Sequence, residues 1–184
     1  LQQQILKSKT TVKEMFEDRG YAVNDDIADD VYETYILQDP SQKIQIKYID
    51  KVNKDEEDIL NSYQEGQYSR IIFVCIQKIP TVTHLKFFEQ MKIKKRIVVE
   101  WFELRRLLYN VTRHALQPKF KVLSESEKRT LLTEIRATEN QLQSLEPIDP
   151  VAKYYGLQEG DVIMIIRISE TAGKYITYRI CMQK

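Results

Sequence analysis

Asp149-Pro-Val-Ala-Lys-Tyr-Tyr-Gly-Leu-Gln-Glu-Gly-Asp-Val-Ile-Met-Ile-Ile-Arg-Ile-Ser-Glu-Thr-Ala-Gly-Lys-Tyr-Ile-Thr-Tyr-Arg-Ile-Cys-Met182 is the stretch that decides how the chain reads. Asp149 is a good helix N-cap, and Pro150 stands at the first helical position, where its missing N–H costs nothing. Gly156 can adopt the left-handed conformation that ends such a helix. Val162 to Ile168 is an apolar, β-branched run, and Tyr175 to Met182 is a second strand candidate rich in Tyr and Ile. The polar segment Ser169 to Lys174 between them contains a glycine and reads as a turn. Local physics therefore predicts a short helix feeding a β-hairpin.

Working upstream, Gln141 to Pro147 reads as a connector. Ser124 and Glu127 have the spacing of a capping box, ahead of Leu131, Leu132 and Ile135 on one helix face. Ala115 to Leu123 reads as extended. Before Asn110 the pattern changes. Val12, Met15 and Phe16 fall at helical spacing, and Gly20 ends that helix. Val31 to Gln38 and Ile44 to Ile49 are strand candidates on either side of an Asp39-Pro40-Ser41 turn. In the second, Ile44, Ile46 and Tyr48 alternate with Gln45, Lys47 and Ile49. Lys54 to Tyr63 is helical, and Arg70 to Ile76 is a strand apolar on both faces. Thr81 caps a helix running to about Met91, with Leu85 and Phe88 inward. Arg96 to Phe102 is a further buried strand, followed by Leu104, Leu107 and Leu108 on a short helix. Strands alternating with helices predict a three-layer α/β domain. The expected fold is α+β, with one domain over residues 1–111 and a small α/β domain with a terminal β-hairpin over 112–184, joined by a structured hinge near Val111 to Pro118.

Composition narrows the possible functions. Charged residues make up 30% of the chain and the formal net charge is +1, so no global basic field advertises nucleic-acid binding. Five glycines and five prolines in 184 residues argue against a low-complexity chain. The apolar runs fall short of a membrane span, and Leu1 to Lys7 is too polar for a signal peptide. The chain opens on Leu rather than Met, which leads the reading to expect residues ahead of it. Cys75 and Cys181 lie inside strand candidates and fit no zinc or redox spacing, so they read as reduced, buried thiols.

The candidate chemistry is sparse. His84 and His114 are thirty positions apart with no ligand spacing around them, and no metal or cofactor is expected. A nuclease of the restriction type needs an acid at a strand turn and an acid-x-Lys on the next strand to hold a divalent metal. Asp39 and Lys47 are available, but Gln45 stands where the second carboxylate belongs, and nothing in the spacing of Glu33 or Asp50 singles them out as substitutes. No catalytic residue is therefore assigned. Lys92, Lys94, Lys95 and Arg96 form the densest basic cluster, read as a solvated loop or as a DNA-backbone contact. In the hairpin, Ser169, Glu170, Thr171, Gly173, Lys174, Tyr175, Tyr178 and Arg179 carry far more hydrogen-bonding groups than a plain turn requires. Tyr and Arg are the residue types that anchor protein interfaces.

The order Asp149-Pro-Val-Ala-x-Tyr-Tyr-Gly-Leu157, then a Val/Ile run ending in Arg167, then Ser169-Glu-Thr-Ala-Gly-Lys-Tyr-x-Thr-Tyr-Arg179, resembles the fifth subunit of eukaryotic-type RNA polymerases. The short archaeal counterpart of that polymerase component is similar to this portion alone. The resemblance extends through Asn110-Val-Thr-Arg-His-Ala-Leu-Gln-Pro-Lys119 and Val122-Leu-Ser-Glu-Ser-Glu-Lys128, and is looser before Asn110, where Arg19-Gly20-Tyr21 is similar to the end of that family's first helix. It implies that residues 112–184 form an assembly domain held by the polymerase's largest subunit through the hairpin residues named above. It further implies that residues 1–111 form a lower jaw, nuclease-like but without the active site, beside downstream duplex DNA. The family's DNA-approaching loop corresponds to Gln77 to His84, which nominates Lys78, Thr81, Thr83 and His84, although Pro80 precedes Thr81 here and the family has the reverse order. The chain would then be a non-catalytic polymerase subunit without membrane association. It would be nuclear if cellular, or in host cytoplasm or virion if encoded by a large DNA virus, an origin to which the Lys/Ile/Tyr-rich, Gly-poor composition points. The competing readings are a metal-dependent nuclease using Asp39 and Lys47, and a free-standing transcription adaptor.

Overall fold

The computed structural model describes residues 1–23, 30–169 and 173–182, which divide into two units, Leu1–Tyr109 and Asn110–Lys184. The first begins with helix α1 (Gln2–Arg19), closed by Gly20 at φ 73°, a left-handed conformation that a side chain resists. Its sheet is formed by β1 (Val31–Ile36), β2 (Asp39–Ile49), β3 (Arg70–Cys75) and β4 (Val98–Glu103), in that spatial order. β1 runs antiparallel to β2, and β2, β3 and β4 run parallel. The parallel steps are bridged by α2 (Lys54–Ser62) and α3 (Val82–Lys95), as the length of a parallel crossover requires. α1 lies on the face that carries Ile46 and Tyr48: Phe16 packs against Tyr32 and Ser8 Oγ meets Tyr48 Oη. On the opposite face Ile71, Phe73 and Cys75 form one core with Leu60 of α2 and with Phe88 and Met91 of α3. Covering both faces explains why β3 is apolar from Ile71 to Cys75.

Two readings of this half are corrected. Asp39-Pro40-Ser41 is not the hairpin turn. The chain turns at Leu37–Gln38, and Asp39 already pairs with Ile36. The next pair is Tyr35 with Lys43, so Pro40 to Gln42 form a bulge, where a residue without an N–H breaks no ladder bond. Helix α3 continues past Met91 to Lys95 and stops at Arg96, itself left-handed at φ 57°. The basic cluster is thus mostly the last helical turn, where cations oppose the helix macrodipole, and not a loop. The alternation in β2 does not separate a buried face from an open one, since Gln45 and Lys47 are only 6% and 9% exposed.

In the second unit a 3-10 turn (Val111–Arg113) leads to β5 (Lys119–Val122), α4 (Glu125–Glu134), β6 (Gln143–Leu145), α5 (Pro150–Tyr155), β7 (Val162–Ser169) and β8 (Gly173–Cys181). The sheet order is β5-β7-β8-β6, with β6 parallel to β8 and the other pairs antiparallel. Ser124 and Glu127 make the expected capping box, and Asp149 accepts a bond from Val151 N–H while Gly156 closes α5 at φ 64°. β6 falls where a connector is expected, because three residues are too short for a strand period to show. Ile135 lies past the end of α4 and is exposed, so the inward face is Leu131 with half-buried Leu132.

Candidate functional site

Strand periodicity and register sort the hairpin residues onto two faces. Antiparallel partners share a face, and Ile163 pairs with Arg179, Ile165 with Thr177 and Arg167 with Tyr175. The other face carries Val162 with Ile180, Met164 with Tyr178, Ile166 with Ile176 and Ile168 with Lys174. At the end away from the tip, where β7 starts and β8 finishes, both faces are covered. Leu145, Ala152 and Leu157 pack with Ile163, Ile165 and Cys181, and Leu131 packs with Val162 and Ile180. Toward the tip the cover ends. Ile168 is 86% exposed, Tyr175 56% and Ile176 46%. Ile168 and Ile176 share one face and Tyr175 stands on the other, so the ribbon is uncovered on both faces toward its tip.

The eight hairpin residues therefore do not form one surface. Tyr175 and Arg179 belong to one face, and Lys174 and Tyr178 to the other. Gly173 begins β8 at φ 72° opposite Ser169, a conformation that favours glycine. Glu170 and Thr171 lie outside the described residues. Arg167, Ile168 and Ile176 belong to the same uncovered ribbon and are missed by a search for polar turn residues, although alternation about Tyr175 and Thr177 could have found them.

The loop nominated for DNA proximity divides in two. Lys78, Thr81 and Thr83 are exposed. Thr81 and half-buried His84 also close the start of α3: Thr81 N–H donates to His84 Nδ1 at 3.1 Å, with Thr81 Oγ1 also 3.1 Å from that nitrogen. His114 Nδ1 likewise accepts Leu116 N–H. Both rings thus use a lone pair on the backbone. Lys95, from the basic cluster, turns its ammonium onto the end of α2, donating to Leu60 O at 3.3 Å, Tyr63 O at 2.8 Å and also to Asn61 O.

The nuclease residues are not brought together. Asp39 pairs at the Ile36 end of the β1–β2 ladder and Lys47 at the Val31 end, about 17 Å apart at about 3.3 Å per residue. Bonds from Ser41 first, then Gln42, hold the Asp39 carboxyl below its usual range. Beside Lys47, Gln45 donates to Tyr68 Oη at 3.2 Å and accepts from Tyr63 Oη at 2.6 Å, and the Tyr68 hydroxyl donates to Glu33. Burial and the neighbouring Glu33 push the Tyr68 hydroxyl up to about 12. A neutral amide and two phenols thus occupy the ground where a metal-binding carboxylate would stand, and among the described residues no group of three or more His, Cys, Asp or Glu could hold a metal. No helix among those residues is long and apolar enough to cross a membrane.

A family model described as "RNA polymerase Rpb5, C-terminal domain" matches residues 109–181, the span that contains the hairpin and all its support. Similarity also runs through the first unit. "DNA-directed RNA polymerases I, II, and III subunit rpabc1" of Dictyostelium discoideum is 34% identical over 192 residues, covering 97% of this chain and 97% of the relative. The like-named RPABC1 of Caenorhabditis elegans is 32% identical over 198 residues, covering 94% and 92%, and that of Caenorhabditis briggsae 34% over 192 residues, covering 97% and 85%. Likeness that spans both units, and a hairpin domain that fits the family's own model, place this chain in the Rpb5 family of DNA-directed RNA polymerase subunits.

Proposed function

We propose that this chain is a non-catalytic structural subunit of a DNA-directed RNA polymerase, held by the largest subunit through the outer half of the β7–β8 hairpin. One observation carries the reading: β7 and β8 run on past their covering helices and present Ile168, Tyr175 and Ile176 to solvent. A lone two-stranded ribbon is marginal in water, so an apolar one is best explained by a partner that covers it. Residues 112–184 act as the assembly domain. Residues 1–111 form a nuclease-like jaw near downstream DNA, with Lys78, Thr81 and Thr83 as its exposed candidates and the Thr81–His84 bond shaping the loop. With a net charge of +1, the free chain binds duplex weakly and gains effective affinity only within the assembly. The compartment is that of the polymerase it serves.

The nuclease alternative has no support in the geometry or the similarities. The adaptor alternative has none in the similarities. The test is capture by the largest polymerase subunit of the same organism: Ile168→Asp with Ile176→Asp should abolish co-purification while the isolated variant keeps its far-ultraviolet circular dichroism. Co-purification at wild-type stoichiometry would overturn the reading. In a control with Mg²⁺ or Mn²⁺, duplex DNA should remain uncut.

A further inference from the structure

We infer that the Arg167–Arg179 face of the hairpin is a groove that receives a carboxylate-bearing, otherwise apolar segment of the largest subunit, an inference that rests on the docking reading above. The groove encloses about 390 Å³ and is floored by Phe120, Ile163 and Ile165, with Val151 at its side. Arg167 and Arg179 both line it, brought to one face by the pairings Arg167–Tyr175 and Ile163–Arg179. Neither guanidinium has a hydrogen-bond or ion-pair partner among the described residues. The carboxylate at the rim, Asp149, is engaged, accepting Val151 N–H at 2.8 Å as the cap of α5.

The two arginines contrast with other arginines of the fold. Arg19 and Arg70 share Glu100, and Arg129 pairs with Glu125. Arg is weakly hydrated and presents a planar fork matched to carboxylates, which suits a site part apolar and part charged. The floor decides between an acidic protein segment and a nucleic acid. A phosphate backbone is served by a broad solvated basic surface, whereas Ile163 and Ile165 are buried and Phe120 half-buried directly between the two cations. An Asp or Glu flanked by apolar side chains satisfies both halves of the groove.

The experiment titrates the full chain against the purified largest subunit at low and high salt, with wild type, Arg167→Gln/Arg179→Gln and Arg167→Lys/Arg179→Lys. Removing charge-assisted bonds of this kind should weaken binding about tenfold to a hundredfold. The Gln pair should also lose most of the wild type's salt dependence, and the Lys pair should fall between the two. An unchanged thermal midpoint in the variants shows that folding is not the cause. If the Gln pair binds like wild type while Ile168→Asp/Ile176→Asp fails to bind, docking stands and the carboxylate groove is overturned. If all variants bind like wild type, both readings fall. If the Gln pair loses only affinity for duplex DNA, the groove serves nucleic acid and this inference is wrong.

Discussion

At the scale of single residues, Glu100 shows how few charges hold the first unit in register. It stands on β4 opposite Ile72, accepts two bonds from Arg19 at the end of α1, at 2.9 and 3.3 Å, and pairs also with Arg70. Only 2% of the Arg19 side chain and 13% of the Glu100 side chain are exposed, so removing the anion strands two cations that water barely reaches. Glu100→Gln should cost about 3 kcal/mol, read as a lowered denaturant midpoint with unchanged slope. Glu127 makes the opposite point at the surface. A bond from Lys121, then bonds from Ser124, hold its carboxyl down at about 2, against 4.5 for a free one. A depressed carboxyl stabilises above its unfolded value and loses that contribution as pH falls through the folded one. Glu127→Gln should therefore lower the thermal midpoint at pH 7, and the difference from wild type should shrink below about pH 4.5 and vanish near pH 2. Cys181 completes the residue scale. Burial, then Asp161, push its thiol up to about 11. A thiol reagent at pH 7.5 should react with it slowly in the native protein and at once after denaturation.

At the scale of elements, the sequence was legible wherever a cap or a period is written locally. Asp149-Pro150, Ser124 with Glu127, and Gly20 mark helix ends by chemistry that acts within a turn, and each is found as read. Thr81 is right as a cap, and its partner is His84, a bond that sequence does not announce because a side chain bonded to the backbone looks the same there as a free one. Lys95 was hidden in the same way. The basic run suggests a solvated loop, yet this ammonium reaches carbonyls at the end of α2, more than thirty residues away in sequence. Lys95→Met should destabilise the first unit by about 1–2 kcal/mol, and Lys94→Met should be neutral, as compared in a urea titration. Asp-Pro-Ser misled for another reason. Turn residues also suit a bulge, and only the long-range register of β1 against β2 distinguishes the two.

At the scale of the whole molecule, two units of different legibility serve one role. The second unit's motif is long and contiguous, so both its hairpin and its family could be read from residues alone. Over both units together about one residue in three is shared with the Dictyostelium relative, and in the first unit sequence reading saw the likeness only as a loose echo. The Gln45–Tyr68–Glu33 chain runs from a buried amide to an exposed carboxylate, a hydrogen-bonded network that suits a rigid scaffold. The hairpin's division into two faces was invisible to a count of polar residues, because alternation must be combined with register to say which side chains meet a partner together. The docking claim is tested most directly by hydroxyl-radical footprinting of the full chain, free and assembled with the largest subunit. Ile168, Tyr175 and Ile176 should be modified readily in the free chain and strongly protected in the assembly, while exposed Ile79, Val82 and Ile93 of the first unit keep their reactivity toward the large subunit alone. Equal modification of the three hairpin residues in both states would contradict docking through the hairpin.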